Sequence, residues 1–285
     1  MNYQHAFHAG NFADVHKHIV LTRILDYLRG KPAPFRIIDS HAGAGRYDLA
    51  GPEAIRGGEW RDGIGHVFGA DCPASVRSLL KPYLDVITAL NPNGGLRLYP
   101  GSPLIAKAFM RRQDRLIACE LEPRAAASLK TALRGDVRVK ILELDGWVGI
   151  NANVPPKERR GLVLIDPPYE QTDDFTRLSG VLAEAHRKWP TGIYMLWYPI
   201  KERDAPDALG RRLRRIGVPK VMRSEMMLSV RRTEGGLAGS GLILVNPPFT
   251  LAAELEILLP AVGRLFTPAA AHRLDWLAGE LSAKH

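Results

Sequence analysis

The sequence predicts an α/β fold: a doubly wound, seven-stranded, mostly parallel sheet with one antiparallel strand and a small helical insertion. Three observations carry this. Short apolar runs such as Leu162-Val163-Leu164-Ile165 alternate with segments of helical period along most of the chain. Four of the runs end in an acidic residue: Asp39, Glu120, Asp145 and Asp166. The first passes straight into Ser40-His41-Ala42-Gly43-Ala44-Gly45-Arg46, a glycine-containing turn where a doubly wound sheet carries its ligand loop.

In chain order, residues 1–18 are polar and hold four of the nine histidines, His5, His8, His16 and His18. They read as a basic, aromatic N-terminal arm over the active site. A helix starts near Asp14, with Val15, Ile19, Ile24, Leu25 and Leu28 at roughly helical spacing, and ends at Gly30 and Pro32. Phe35–Asp39 is the first strand. Residues 48–98 are rich in Gly and Pro, hold helices around 60–69 and 74–90, and close on Asn91-Pro92-Asn93-Gly94-Gly95. They read as a helical insertion subdomain within one domain spanning 1–285. Beyond it come a helix near 102–112, strand 116–120, a helix near 123–134, strand 137–144 and strand 161–165. A helix near 172–188, strand 193–197, a helix near 203–216 and strands near 219–230 and 240–246 complete the series. The last two strands are joined by a hairpin-like loop, 231–236, with no helix between them, which makes one of them antiparallel.

Lys and Arg exceed Asp and Glu by 39 to 30, a net charge of +9. The arginines cluster as Arg111-Arg112, Arg159-Arg160, Arg211-Arg212, Arg214-Arg215 and Arg231-Arg232. Clustered cations suit a polyanion such as nucleic acid, because phosphate contacts supply most sequence-independent affinity. The two cysteines, Cys72 and Cys119, form no disulfide framework, and no apolar run approaches the ~20 residues of a membrane span. A soluble cytoplasmic monomer is expected. The histidine spacings His5-x-x-His8 and His16-x-His18 lack the cysteine or paired glutamate of a closed zinc site, so no metal is expected. A cytosine-C5 mechanism needs a nucleophilic cysteine; Cys72 falls in the insertion and Cys119 in a buried strand.

The chemistry concentrates at Asp166-Pro167-Pro168-Tyr169. The prolines hold an extended turn and remove two N–H donors, leaving a carboxylate at a strand end beside a ring that can stack. That combination suits a planar, amine-bearing substrate such as adenine. In a doubly wound sheet, ligands bind outside the carboxyl ends of the strands. Asp39, Glu120, Asp145 and Asp166 on successive strand ends therefore converge on one crevice, where a nucleoside fits. Gly43 and Gly45 allow close backbone approach, although Asp48 replaces the third glycine of a dinucleotide fingerprint. A second copy of the pattern, Asn246-Pro247-Pro248-Phe249, ends the strand expected to run antiparallel. It should face away from the crevice and be structural.

The chain resembles S-adenosylmethionine-dependent amino-methyltransferases of the Asp-Pro-Pro-Tyr class. More closely, it is similar to the bacterial 23S ribosomal RNA adenine-N6 methyltransferase family that modifies adenine 2030. The resemblance runs through Tyr3, His5-Ala6-Phe7-His8-Ala9-Gly10-Asn11, Ala13-Asp14-Val15 and Lys17-His18, then His41 to Tyr47 and Tyr99-Pro100-Gly101-Ser102-Pro103-Leu104. It continues through Leu164 to Tyr169, Gly192-Ile193-Tyr194, Leu196-Trp197-Tyr198-Pro199, Ser240-Gly241 and Asn246-Pro247-Pro248. The family implies a Rossmann-like methyltransferase sheet. It also implies an S-adenosyl-L-methionine pocket lined by His18, His41, Ser102, Glu120, Asp145, Gly146 and Asp166. Asp166 would be the catalytic proton acceptor, and Tyr3 would touch the RNA.

The adenine N6 lone pair is delocalised into the ring and is a poor nucleophile. Asp166 and the Pro167 carbonyl can each accept an N–H from that amine, localising the pair and aiming it for in-line transfer. Tyr169 would stack on the extruded base. The partner expected is 23S ribosomal RNA, naked or in an early assembly particle. Three alternatives stand beside it: a DNA adenine-N6 methyltransferase, a catalytically inactive RNA-binding module and a protein-glutamine methyltransferase. The small insertion and the missing large recognition domain argue against the first, an intact Asp166 and glycine loop argue against the second, and the third usually carries Asn at the first motif position.

Overall fold

A computed structural model describes residues 4–171, 173–228 and 237–279. The chain opens on a 3-10 turn, His5–Phe7, and a long helix, α1 (Phe12–Arg29). Asn11 caps α1 by accepting the Asp14 N–H at 2.9 Å. Strands β1 (Phe35–Asp39) and β2 (Arg46–Asp48) follow, then α2 (Pro52–Gly57), α3 (Ile64–Val67), α4 (Ala74–Leu90) and β3 (Leu98–Pro100). Next are α5 (Ser102–Phe109), β4 (Arg115–Cys119), α6 (Pro123–Ala132), β5 (Val139–Leu142), α7 (Gly146–Asn153) and β6 (Arg160–Ile165). The chain continues through α8 (Asp174–Lys188), β7 (Ile193–Ile200), α9 (Asp204–Arg215), β8 (Val221–Met227), β9 (Gly239–Val245), α10 (Leu251–Phe266) and β10 (Ala271–Ala278).

The main sheet has the order β10-β8-β9-β7-β6-β1-β4-β5. From β7 to β5 every pairing is parallel, while β9 is antiparallel to both β7 and β8. The sheet has eight strands rather than the expected seven. The additional one, β10, lies antiparallel on β8 at the edge. Its His272, Arg273 and Asp275 confine large apolar residues to Leu274 and the end of the strand, as befits an edge strand that charge protects from further pairing. Loop 231–236, expected to join the last two strands, lies outside the described residues.

Neighbouring residues within a strand feed two cores on opposite faces. Ile37, Leu162 and Met195 pack with Leu21, Ile24 and Leu25 of α1. Ile38, Val163 and Tyr194 pack with Leu178 and Leu182 of α8 and Leu209 of α9. Side chains alternate across a strand, so burial on both sides turns these strands into continuous apolar runs.

Two features position the site. Successive parallel strands step from β1 to β4 and β5, then restart with β6 on the other side of β1. That reversal opens a crevice at the carboxyl ends of β1 and β6, where Asp39 and Asp166 sit. Second, β2 and β3 pair antiparallel with Asp48 opposite Leu98, so stretch 48–98 leaves and rejoins the chain at facing residues. Of the stretch expected as an arm, residues 12–18 form the first turns of α1 and are buried. Asp14, His16, Lys17 and His18 thus lie in the interior, where each needs a polar partner.

Candidate active site

The four strand-end acids sit on spatially consecutive strands, β6, β1, β4 and β5. Glu120 fastens the glycine loop: its Oε2 accepts the Gly43 N–H at 2.7 Å and its Oε1 the Glu122 N–H at 2.8 Å. Gly43 (φ 62°) and Gly45 (φ 76°) occupy the left-handed region, and a Cβ on Gly43 would lie 2.4 Å from the Tyr47 hydroxyl. Asp145 caps α7, its Oδ1 accepting the N–H groups of Trp147 and Val148 at 2.9 and 3.0 Å. A Cβ on Gly146 would lie 2.1 Å from the Ser40 carbonyl oxygen, so only glycine lets α7 start this close to the loop. His41 stands between them, bonded to Ser40 Oγ at 2.7 Å and edge-on to Trp147.

Asp39 is 1% exposed, and its Oδ2 accepts the Ser102 hydroxyl at 2.7 Å. Its Oδ1 meets no donor in good hydrogen-bond geometry among the described residues, although the His41 backbone N–H lies close enough to lower the carboxyl's pKa. Burial pushes this carboxyl up to about 7, against the lowering effect of the Ser102 bond.

Asp166 pairs with Lys17 of α1, Nζ to Oδ2, at 2.5 Å. Lys17 also contacts Asp14 Oδ1 at 2.9 Å, and Asp14 Oδ2 lies 2.9 Å from both His5 Nε2 and the Gly10 N–H. Lys17 is 6% exposed. Burial opposes its charge, but Asp14 and Asp166 outweigh that and hold its ammonium well above the usual lysine range. Asp14 likewise resists the penalty of burial and is held well below the usual carboxylate range by His5 and Lys17. Next on the helix, His18 Nδ1 meets the Tyr99 hydroxyl at 2.8 Å, which in turn meets the Tyr83 hydroxyl at 2.8 Å. This Lys17–Asp166 pair is absent from the sequence expectations. The two residues are 149 positions apart, and no local pattern announces them.

Tyr169 has φ 53°, an outlier for a bulky residue. Its hydroxyl donates to the Trp197 carbonyl, and its ring packs on Phe175 and Trp197 at centroid distances of 5.0 and 5.7 Å. The second motif lies elsewhere. Asn246 follows β9 and donates to the carbonyls of Pro190 and Gly192 at 2.8 Å, at the amino end of β7. Phe249 is 81% exposed and meets Tyr27 edge-on.

Glycine loop, strand ends and insertion enclose a cleft of about 2060 Å³. His18, His41, Ser102, Glu120, Asp166 and Tyr169 line it together with Lys17 and Trp197. Asp145 and Gly146 adjoin it through His41. Tyr3 lies outside the described residues. Such a volume exceeds the few hundred to about 1,000 Å³ of one small-ligand site, leaving space for two ligands at once. Among the described residues no group of three His, Cys, Asp or Glu is arranged to hold a metal ion. Burial pushes the Cys119 thiol up to about 12, which leaves it inert.

Burial also pushes His16 and His18 down to about 3 and His41 to about 4. Between about pH 4 and 6.5 the unfolded chain therefore binds three protons that the folded chain refuses. Asp39 works oppositely there, since the folded chain keeps its proton up to about 7. With His186 also lowered by burial, the net is at least two protons and predicts that stability is lost on acidification from pH 6.5 to 4, by roughly 3 kcal/mol per pH unit. Urea unfolding at several pH values measures this; stability that is flat or rising on acidification contradicts it.

The model of the family described as "Ribosomal RNA large subunit methyltransferase D, RlmJ" matches residues 32–278. The chain belongs to this family. Relatives of the RlmJ family agree along the full length. "Ribosomal RNA large subunit methyltransferase J" of Escherichia coli (strain K12) is 38% identical over 283 residues, 98% of this chain and 100% of that protein. The Haemophilus influenzae protein of the same name is 37% identical over 284 residues, again 98% and 100%. A crystal structure of protein LPL1258 from Legionella pneumophila superposes with a TM-score of 0.87 at 36% identity, covering 94% of this chain and 98% of that one. The RlmJ match thus spans both the sheet and the acidic strand ends that line the cleft.

Proposed function

We propose that this chain is an S-adenosylmethionine-dependent methyltransferase acting on N6 of one adenine in 23S ribosomal RNA, the adenine being 2030. The observation that carries this is the position of Asp166. It stands at the switch point of the sheet, one strand from the glycine loop, held by Lys17 at 2.5 Å in a cleft with space for cofactor and base. The names of the full-length relatives support the RNA class.

The residues fit the cofactor. The buried Asp39 oxygen without a donor in good geometry calls for one, and an ammonium group arriving beside Ser102 provides it. The glycine cradle is shaped for close approach, and the anchored Glu120 suits ribose hydroxyls. His18, His41, Ser102, Glu120, Asp145, Gly146 and Asp166 would hold S-adenosylmethionine. When bound, it supplies an electrophilic methyl group on a sulfonium.

The protein's own part is positioning and proton transfer. Lys17 occupies Asp166 Oδ2 and fixes the carboxylate's orientation. Oδ1 and the Pro167 carbonyl then accept the two N–H bonds of the amine, which localises its lone pair toward the methyl donor. Asp166 takes the proton released on transfer. Tyr169, backed by Phe175 and Trp197, presents the ring for base stacking. Tyr3 touches the RNA. The exposed Arg46, Arg124 and Lys201 line the cleft and would meet phosphates, whereas the arginine clusters at 112, 159 and 211–215 lie toward the amino ends of the strands, away from it.

We place the protein in the cytoplasm as a monomer, acting on naked RNA or an early assembly particle. Among the described residues no helix is long and apolar enough to cross a membrane. Methyl transfer from labelled cofactor to unmodified 23S RNA, against duplex DNA, tests the substrate class.

A further inference from the structure

His16 and Lys17 are adjacent on α1 but reach different ends of the Asp-Pro-Pro-Tyr motif. Lys17 meets Asp166 directly. His16 is 1% exposed, and its Nδ1 lies 3.0 Å from Ser240 Oγ and its Nε2 3.0 Å from Ser224 Oγ. Ser240 Oγ also accepts the indole N–H of Trp197 at 3.0 Å. Trp197 in turn accepts the Tyr169 hydroxyl through its carbonyl and stands edge-on to the Tyr169 ring. Its own ring lies 6.0 Å from Lys17 Nζ. One buried chain of polar contacts thus runs from α1 through β9 to β7 and ends on the strained tyrosine.

The proton count along this chain is restrictive. A neutral imidazole has one donor and one acceptor nitrogen, so one serine donates to His16 and the other accepts from it. Burial keeps the ring neutral, pushing it down to about 3, so the arrangement persists at every pH at which the protein works. An apolar side chain at position 16 would fill the same space while stranding the two buried hydroxyls of Ser240 and Ser224, the first of which holds the Trp197 indole. Tyr169 keeps its left-handed backbone, φ 53°, only while its surroundings over-determine it, and Trp197 supplies two of those restraints.

We propose that His16, acting through Ser240 and Trp197, is a positioning residue for methyl transfer that fixes the aromatic wall presenting the target base to Asp166. This rests on the site reading given above. His16 does not line the cleft, so its effect falls on alignment and not on cofactor binding.

The test is a double-mutant cycle on turnover, with cofactor affinity measured by calorimetry and folding by thermal melting. His16→Ala removes a ring buried among three elements and can unfold the chain, so Ser240→Ala carries the test. It should lower kcat by about 10- to 100-fold while the cofactor Kd stays within about twofold. Ser240→Thr, which keeps the hydroxyl, should restore turnover. In a Trp197→Phe background, Ser240→Ala should change kcat by less than about twofold, because the indole N–H is already gone. A folded Ser240→Ala protein with wild-type turnover overturns the proposal. So do equal losses of turnover with and without the Trp197 indole, or a cofactor Kd that weakens as much as kcat falls. Asp166→Asn run in parallel separates the two levels. If it stays active the site reading itself fails; if it is dead while Ser240→Ala is unimpaired, only the relay fails.

Discussion

Asp166→Asn is expected to reduce methyl transfer by about 10³-fold while the protein stays folded. The substitution keeps the shape of the side chain but removes the proton acceptor; with its amide oxygen held by Lys17, its NH2 faces the amine in place of one of the two acceptors that would localise the lone pair. It also leaves Lys17 with Asp14 as its remaining carboxylate, at 2.9 Å. Single-turnover kinetics with a saturating RNA substrate measure the chemical step directly. The matched control is Asn246→Ala, which removes bonds to Pro190 and Gly192 at the opposite end of the sheet. It should melt at a lower temperature and transfer methyl groups at the wild-type rate per folded molecule. An active Asp166→Asn protein beside a dead, folded Asn246→Ala protein would move the chemistry to the second motif and overturn this assignment.

The largest expected effect on stability is at Lys17. Its ammonium lies between Asp14 and Asp166, and the side chains of Lys17 and Asp14 are 6% and 2% exposed. Lys17→Met strands the Asp166 carboxylate and leaves Asp14 held by His5 and the Gly10 N–H without its lysine. Removing one member of a buried ion pair costs about 3–5 kcal/mol. Asp166 is 17% exposed, so part of its share is offset by water, and the loss should fall near the lower end, about 3 kcal/mol. Transfer should fall too, because nothing then fixes the Asp166 carboxylate. In an Asp166→Asn background the same substitution should cost about 1 kcal/mol less or better, since one stranded charge is gone. Denaturant unfolding of the four proteins in this cycle gives the coupling. Equal costs in both backgrounds would show that Lys17 and Asp166 do not act as a pair.

Much of the scaffold is legible along the chain because parallel strands buried on both faces must be apolar runs. Phe35–Asp39, Arg160–Ile165 and the reversed Gly239–Val245 are readable for that reason. The acidic strand ends are readable too, because the turn after a parallel strand is short and its first polar residue lands at the sheet's carboxyl edge. Other parts are not. Helix α7, Gly146–Asn153, has two glycines and no polar face; its only sign is the capping Asp145. Helix α10 contains Pro260, and edge strand β10 has no apolar period. The contacts that shape the site are the least legible. Lys17 with Asp166, His16 with Ser240, and Asp39 with Ser102 join residues 149, 224 and 63 positions apart. Only the fold brings them together. Residues 1–18 read along the chain as an arm over the active site, and only the packing of sheet and insertion shows that 12–18 are interior groups of α1.

The cleft, on the reading proposed here, methylates N6 of a single adenine in large-subunit ribosomal RNA. The most direct measurement incubates the purified protein with labelled S-adenosylmethionine and unmodified 23S RNA, then maps the product by nuclease digestion and mass spectrometry. The expected result is one N6-methyladenine, at position 2030, absent with Asp166→Asn and absent from duplex DNA offered instead. Transfer to duplex DNA but not to the RNA, or a label carried on another base or atom, would contradict it.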